Sequence, residues 1–152
     1  DCMQFALESA AQAEVMALID ALDAYQKPLY PLESFHGVDI DALCQPNVLF
    51  AVARDGTGRA IGCGAIVLQP TYGEIKRLYV TPASRGQGLG LALLDFLEAE
   101  AAARGCRCYR LETGVLQPEA LALYARAGYV ECAPFGDYVE DPHSLFFAKD
   151  SG

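Results

Sequence analysis

The 152-residue chain is 53% hydrophobic and 20% charged, which excludes a disordered chain and suits one domain with a packed core. A formal net charge of −9 makes nucleic acid a poor partner. Six scattered cysteines and two histidines contain no C-x-x-C pair and no zinc spacing, so neither a metal site nor a disulfide framework is expected.

Reduced thiols in a cytoplasmic protein fit that pattern. No apolar run approaches the ~18 residues of a membrane span. The chain opens Asp1-Cys2-Met3, which reads as a trimmed or replaced start, and no basic-then-apolar leader follows. The acidic excess favours a cationic or neutral partner, or simply solubility.

In chain order, residues 3–8 read as a short strand. Ser9 and Gln12 are spaced as a capping box. Behind them Val15, Leu18, Ile19 and Leu22 recur at helical spacing. Residues 27–37 hold two prolines and read as a loop, and 39–44 as a short second helix. Residues 47–53 and 60–69 form a hairpin about the turn 55–58, although Gly62 and Gly64 weaken the second strand.

Residues 74–80 read as a strand stopped by Pro82. Residues 88–104 read as a long helix with the stripe Leu89, Leu93, Phe96, Leu97 and Ala101. Asp95 and Glu98 lie off that stripe, and Gly105 caps the helix. A strand at 107–113 follows. A helix opens at Pro118 and closes at Gly128, and strands at 129–133 and 144–149 end the chain. The sum is a mixed α/β sheet in which the strand–helix–strand unit 74–113 is parallel. Cys106 and Cys108 alternate on one strand face with Arg110 and read as packing residues.

Arg85-Gly86-Gln87-Gly88-Leu89-Gly90 stands between a strand and a long helix. Glycines there permit positive φ, and the free N–H groups of a helix start make an anion site suited to a pyrophosphate. The spacing is not the G-x-G-x-x-G of a dinucleotide fold, and no G-K-[S/T] of a P-loop is present. Taken alone, the loop is equally readable as a flexible turn.

It is not alone. The run Glu74-Ile75-Lys76-Arg77-Leu78-Tyr79-Val80, then Arg85-x-x-Gly88-x-Gly90, then Leu91-Ala92-Leu93-Leu94, resembles the central motif of the GNAT family of N-acetyltransferases. The run Leu121-Ala122-Leu123-Tyr124-Ala125-Arg126-Ala127-Gly128-Tyr129 is similar to that family's second motif. Element order agrees along the chain, and the segments around residues 29–36 and 134–142 resemble a bacterial subgroup of small-molecule acetyltransferases.

The resemblance implies an α/β fold: a mostly antiparallel sheet of six or seven strands, a splayed parallel central pair and about four flanking helices. It implies acetyl-CoA as cosubstrate, without a metal. Backbone at Leu78, Tyr79 and Val80 would hold the pantetheine arm. The segment Arg85, Gly86, Gln87, Gly88, Leu89 and Gly90 would bind the pyrophosphate. The family often has Asn at the start of the second-motif helix; Gln117 stands here, which puts its contact to the arm in question. Many such folds pair as homodimers.

Amide formation from a thioester needs a held neutral amine, a proton acceptor and a proton donor for the leaving sulfur. The resemblance places the Tyr124 hydroxyl near that sulfur, as general acid. Glu74 is the candidate base and Glu112 on the neighbouring strand its competitor. Period-two alternation puts Glu74 on one face with Lys76, Leu78 and Val80, where an ion pair with Lys76 is the alternative role. The acceptor pocket would draw on Tyr30, Glu33 and His36 on one side, with Glu112, Phe135 and Tyr138 on the other. Their rings and carboxylates suit an ammonium group. His36 on its own reads as a surface or capping residue.

The leading functional expectation is acetyl transfer to a primary amine of a small molecule. Acetylation of a protein N-terminus or lysine, and a non-catalytic acyl-CoA sensor, are the alternatives.

Overall fold

The computed structural model describes residues 3–29 and 40–151. Strand β1 (Gln4–Leu7) leads to α1 (Ala13–Gln26) and a short 3-10 turn (Lys27–Leu29). Then come α2 (Ile40–Leu43), β2 (Val48–Arg54), β3 (Ala60–Leu68) and β4 (Gly73–Val80). A second 3-10 turn (Pro82–Ser84) precedes α3 (Leu89–Ala102), β5 (Cys108–Gly114), α4 (Pro118–Arg126), β6 (Val130–Cys132) and β7 (Ser144–Asp150).

The strands form one seven-stranded sheet in the order β1-β2-β3-β4-β5-β7-β6. Only β4 and β5 run parallel. This is the mixed, mostly antiparallel sheet with a parallel central pair that the sequence implied. Among the described residues no helix is long and apolar enough to cross a membrane.

Two apolar layers cover the sheet. On one face Leu89, Leu93, Leu94, Leu97 and Ala101 of α3 pack over Ala51, Ala53, Ile66, Ile75 and Leu111. On the other, Val15, Leu18, Ile19 and Leu22 of α1 meet Phe50, Val52, Cys63, Ala65 and Tyr79. The glycines that weaken the sequence reading of β3 have a packing role. A Cβ at Gly64 would stand 2.9 Å from Leu78 Cδ1 and 3.1 Å from Leu97 Cδ1, so their bareness lets α3 lie close to the sheet.

Three local readings need correction. The capping box does not form, because α1 begins one turn later with Gln12 as N-cap and no side-chain cap. Ser9 Oγ accepts the Ala11 N–H (3.0 Å), and Gln12 Nε2 donates to the Glu8 carboxylate (3.0 Å). Arg54 fixes that carboxylate through Nη2 (2.7 Å) and Nε (3.0 Å). Charge-assisted bonds outweigh a neutral cap.

Glu98, expected off the buried stripe of α3, is buried. Its partners come from other elements: Tyr129 O–H and Lys149 Nζ each donate to its carboxylate at 2.8 Å.

The simple alternation along β4 also fails. Cys63 pairs with Tyr79 and Ala65 with Lys76, so Arg77 and Leu78 together oppose Gly64. Arg77 takes φ 58°, rare for a residue with a side chain. Past this bulge the faces exchange: Ile75, Leu78 and Val80 all pack on the α3 side, and Tyr79 on the α1 side. Glu74 and Lys76 therefore do not share a face with Leu78 and Val80. The Arg77 side chain is 7% exposed and its guanidinium is ion-paired with Asp23 of α1, which ties the bulge to that helix.

Asp23→Ala should cost about 1–3 kcal/mol, because it removes a carboxylate from a nearly buried cation. Urea unfolding with an unchanged m-value reads this loss. A change below about 0.5 kcal/mol, typical of an open surface site, would show the pair is not a fastening.

Candidate active site

Strands β4 and β5 pair at Gly73–Tyr109, Glu74–Arg110 and Ile75–Leu111, and no further. Strand β5 goes on pairing with β7 as far as Gly114–Ser144. The end of β4 is thus left with backbone groups facing an opening. A cavity of about 600 Å³ occupies it. Its walls are Leu78, Tyr79 and Val80 of β4, Ser84 to Gly86 with Gly88 of the loop, Leu89 to Leu91 of α3, the N-cap Gln117, and Ala120, Leu123 and Tyr124 of α4. Leu22 and Tyr25 of α1 also line it.

One end is built for an anion. Gly86 (φ 82°) and Gly88 (φ 75°) turn the chain into α3, with Gly88 as its N-cap. No acceptor among the described residues takes the N–H groups of Gly86 to Gly90. Such free donors at the start of a 14-residue helix suit a pyrophosphate. Arg85 Nε donates to Val80 O (3.0 Å), and its guanidinium lies 5.6 Å from the Tyr79 ring centre. Those contacts keep the cation on the cavity rim. A Cβ at Gly90 would come within 3.0 Å of Leu123 Cδ2, so glycine there lets α4 close on the loop.

Of the residues expected here, Gln87 is exposed and does not line the cavity. Gln117 does line it, and its side-chain oxygen also accepts the Gly114 N–H at 3.3 Å. It therefore fastens the end of β5.

Tyr124 of α4 is buried and lines the cavity. Its ring meets Tyr129 edge-on (centroids 6.0 Å apart) and tilts against Phe147 (6.5 Å). Among the described residues its hydroxyl has no hydrogen-bond partner. Burial, and then the charge of Glu112, push this hydroxyl's pKa above the ordinary tyrosine range.

Where the two strands part, Glu74 is buried at 7% exposure. Tyr138 O–H donates to Glu74 Oε2 at 2.7 Å, and Lys76 Nζ stands 3.2 Å from the same oxygen. Lys76 Nζ also donates to the Tyr138 oxygen at 2.8 Å. Burial, and then Glu74, raise the Tyr138 hydroxyl. Ser144 Oγ donates to Glu112 Oε2 at 2.8 Å. Phe135, Tyr138 and Phe146 pack ring to ring at 5.1–5.9 Å, with Tyr72 edge-on to Phe135.

The structure thus brings together four sequence-named residues: Glu74, Glu112, Phe135 and Tyr138. The ion pair of Glu74 with Lys76, weighed as an alternative, is present. Neither carboxylate lines the cavity. Glu112 links the two regions, since its charge acts on the hydroxyls of both Tyr124 and Tyr138. Tyr30, Glu33 and His36 lie outside the described residues. Sequence reasoning reads Leu22 only as part of the apolar stripe of α1 and does not single out Tyr25, Tyr72 or Ser144, because their roles depend on contacts distant in the chain.

The fold and cavity correspond to an acyl-coenzyme A-dependent transferase, and the comparisons agree. Residues 14–129 match the model of the acetyltransferase (GNAT) family. An IAA acetyltransferase of Azospirillum brasilense is 45% identical over 146 residues, covering 95% of each chain. An uncharacterized N-acetyltransferase of Bacillus subtilis, YsnE, is 31% identical over 97% of this chain and 99% of its own. A Klebsiella pneumoniae structure assigned as an acyl-CoA N-acyltransferase has 42% identity and a TM-score of 0.84, with 97% of each chain covered. The chain belongs to the GNAT acetyltransferase family and is an enzyme of that class.

Gly88→Ala places a side chain at left-handed φ and should cost about 1–2 kcal/mol of stability. Gly56→Ala, in open space without positive φ, should stay within about 0.5 kcal/mol. Equal losses in thermal unfolding would contradict the strained helix start on which the anion site depends.

Proposed function

We propose that this enzyme transfers the acetyl group of acetyl-CoA to a primary amine of a small molecule, by direct attack on the thioester, within a single domain. The observation that carries the reading is one continuous cavity, running from the N–H groups at the start of α3 to the Tyr124 hydroxyl, both without hydrogen-bond partners among the described residues. The first end suits the pyrophosphate, the stretch Leu78 to Val80, which lines the cavity and has no β5 partner, suits the amides of the pantetheine arm, and the second end suits the sulfur.

Tyr124 serves as general acid, protonating the departing sulfur. Its burial keeps the proton on oxygen until that demand arises. Glu74 receives the proton of the attacking amine. It does so through Tyr138, whose O–H points at it. As Tyr138 oxygen takes a proton from the amine, its own moves to Glu74, and Lys76 stabilises the pair. Glu112 is the second candidate base, favoured by its electrostatic reach to Tyr124. The aromatic rings and carboxylates around it suit a cationic acceptor in its resting form.

An acceptor panel read by mass spectrometry tests this, with amino acids, polyamines and an aminoglycoside as amines, and with IAA, which stands in the name of the 45% identical relative, as a separate arm. An acetylated small amine is the expected product. Acetylation confined to peptide N-termini or lysines would favour the protein-directed alternative, and acetyl-CoA binding without any product the sensor.

Tyr124→Phe should lower kcat by about 100-fold or more while leaving acetyl-CoA binding intact. A proton donor works while it holds its proton, and burial and Glu112 both raise that pKa. The alkaline fall in kcat should therefore lie above the ordinary tyrosine value of about 10. Glu112→Gln removes one of the two causes and should move that fall to lower pH. Full activity in Glu74→Gln would transfer the base role to Glu112.

A further inference from the structure

The geometry points to Tyr129 and Glu98 as positioning residues for Tyr124: the bond from the Tyr129 hydroxyl to the Glu98 carboxylate holds the ring against which Tyr124 rests. The inference deepens the proposed function and depends on Tyr124 being the acid.

Tyr124 has no hydrogen bond at its hydroxyl among the described residues. Its placement depends on its backbone and on the two rings beside it. One of these, Tyr129, is 3% exposed and follows Gly128, whose φ of 94° ends α4. The Tyr129 N–H donates to the Tyr124 carbonyl at 3.0 Å, and the rings stand edge-to-face at an interplanar angle of 63°. Anything that fixes Tyr129 therefore fixes Tyr124 twice, through main chain and through ring.

Glu98 supplies that fixing point. A buried carboxylate is costly unless fully bonded, and this one is bonded across elements. It accepts Tyr129 O–H at 2.8 Å and Lys149 Nζ at 2.8 Å. The Glu98 backbone carbonyl accepts Tyr109 O–H at 3.0 Å. Lys149 Nζ also lies 5.7 Å from the Tyr129 ring centre. Helix α3, strands β5 and β7 and the turn after α4 converge on Glu98, well away from the anion end of the cavity. The buried Glu98 carboxylate thus takes one half-buried cation and one tyrosine hydroxyl directly behind the ring on which Tyr124 rests. A catalytic group displaced by about 1 Å loses up to about 100-fold in rate, which is scale enough for such a support to matter.

Two measurements test the inference. Carbon-13 labelling at tyrosine Cζ reads the Tyr124 ring in the CoA complex without any acceptor. Glu98→Met, one ring removed from Tyr124, should shift or broaden that resonance, and an unchanged resonance would overturn the inference. Tyr129→Phe is then made in the wild-type enzyme and in Y124F, and kcat is followed with the fastest amine of the panel. The expected result is about a tenfold fall in the first and less than about twofold in the second, with CoA affinity preserved in both. Equal falls in the two backgrounds would mark Tyr129 as general support and overturn the inference. Y124F turning over at the wild-type rate is a different outcome, since it removes the acid role itself.

Discussion

Three residue pairs hold β4 to β5, and the parting of the strands beyond Ile75–Leu111 is the constraint on which the site depends. Parallel strands in a sheet ordinarily satisfy one another's backbone groups. Here β5 turns its remaining bonds to β7 alone, and β4 bulges at Arg77. The bulge moves Leu78 and Val80 onto the α3 side and leaves an open strand edge beside the helix start. Its left-handed residue is fastened by Asp23, so α1 takes part in shaping the cavity from the far side of the sheet. The site is thus a product of the sheet's deviation from regularity.

The two faces of this opening are electrostatically distinct. Toward α3 and α4 stand N–H donors, Arg85 and the Tyr124 hydroxyl, which has no hydrogen-bond partner among the described residues. Toward the β6–β7 connection stand Glu74, Glu112 and a cluster of rings, with Lys76 as the balancing cation. A negatively charged cosubstrate and a positively charged acceptor would therefore approach through regions of opposite sign. Under the proposed function, that separation would keep each in its own half and bring acyl carbon and amine together only at the parting of the strands.

Much of this was readable in the sequence, for physical reasons. The glycine loop is local: φ-positive positions and a helix start six residues long show directly as Arg85-x-x-Gly88-x-Gly90. Both helix-ending glycines, Gly105 and Gly128, adopt positive φ where expected. What escaped depends on distance or on an unlikely residue. The Tyr138–Glu74 bond spans 64 positions. An arginine at positive φ carries no turn signature, so the bulge at Arg77 and the exchange of faces after it were hidden. Glu98 was misread because periodicity assumes that a charged side chain faces water, and its partners Tyr129 and Lys149 are 31 and 51 residues away.

Thermal unfolding in parallel with acetyl-CoA, CoA, NAD and ATP tests the central claim, that the splayed strands form an acyl-CoA site. A ligand at about one hundred times its dissociation constant adds about 2.7 kcal/mol, or roughly 5–15 °C for a domain of this size. The account predicts a shift of that order with acetyl-CoA and CoA and none with NAD or ATP. No shift with either form of CoA would contradict it, and the glycine loop would then be only a turn.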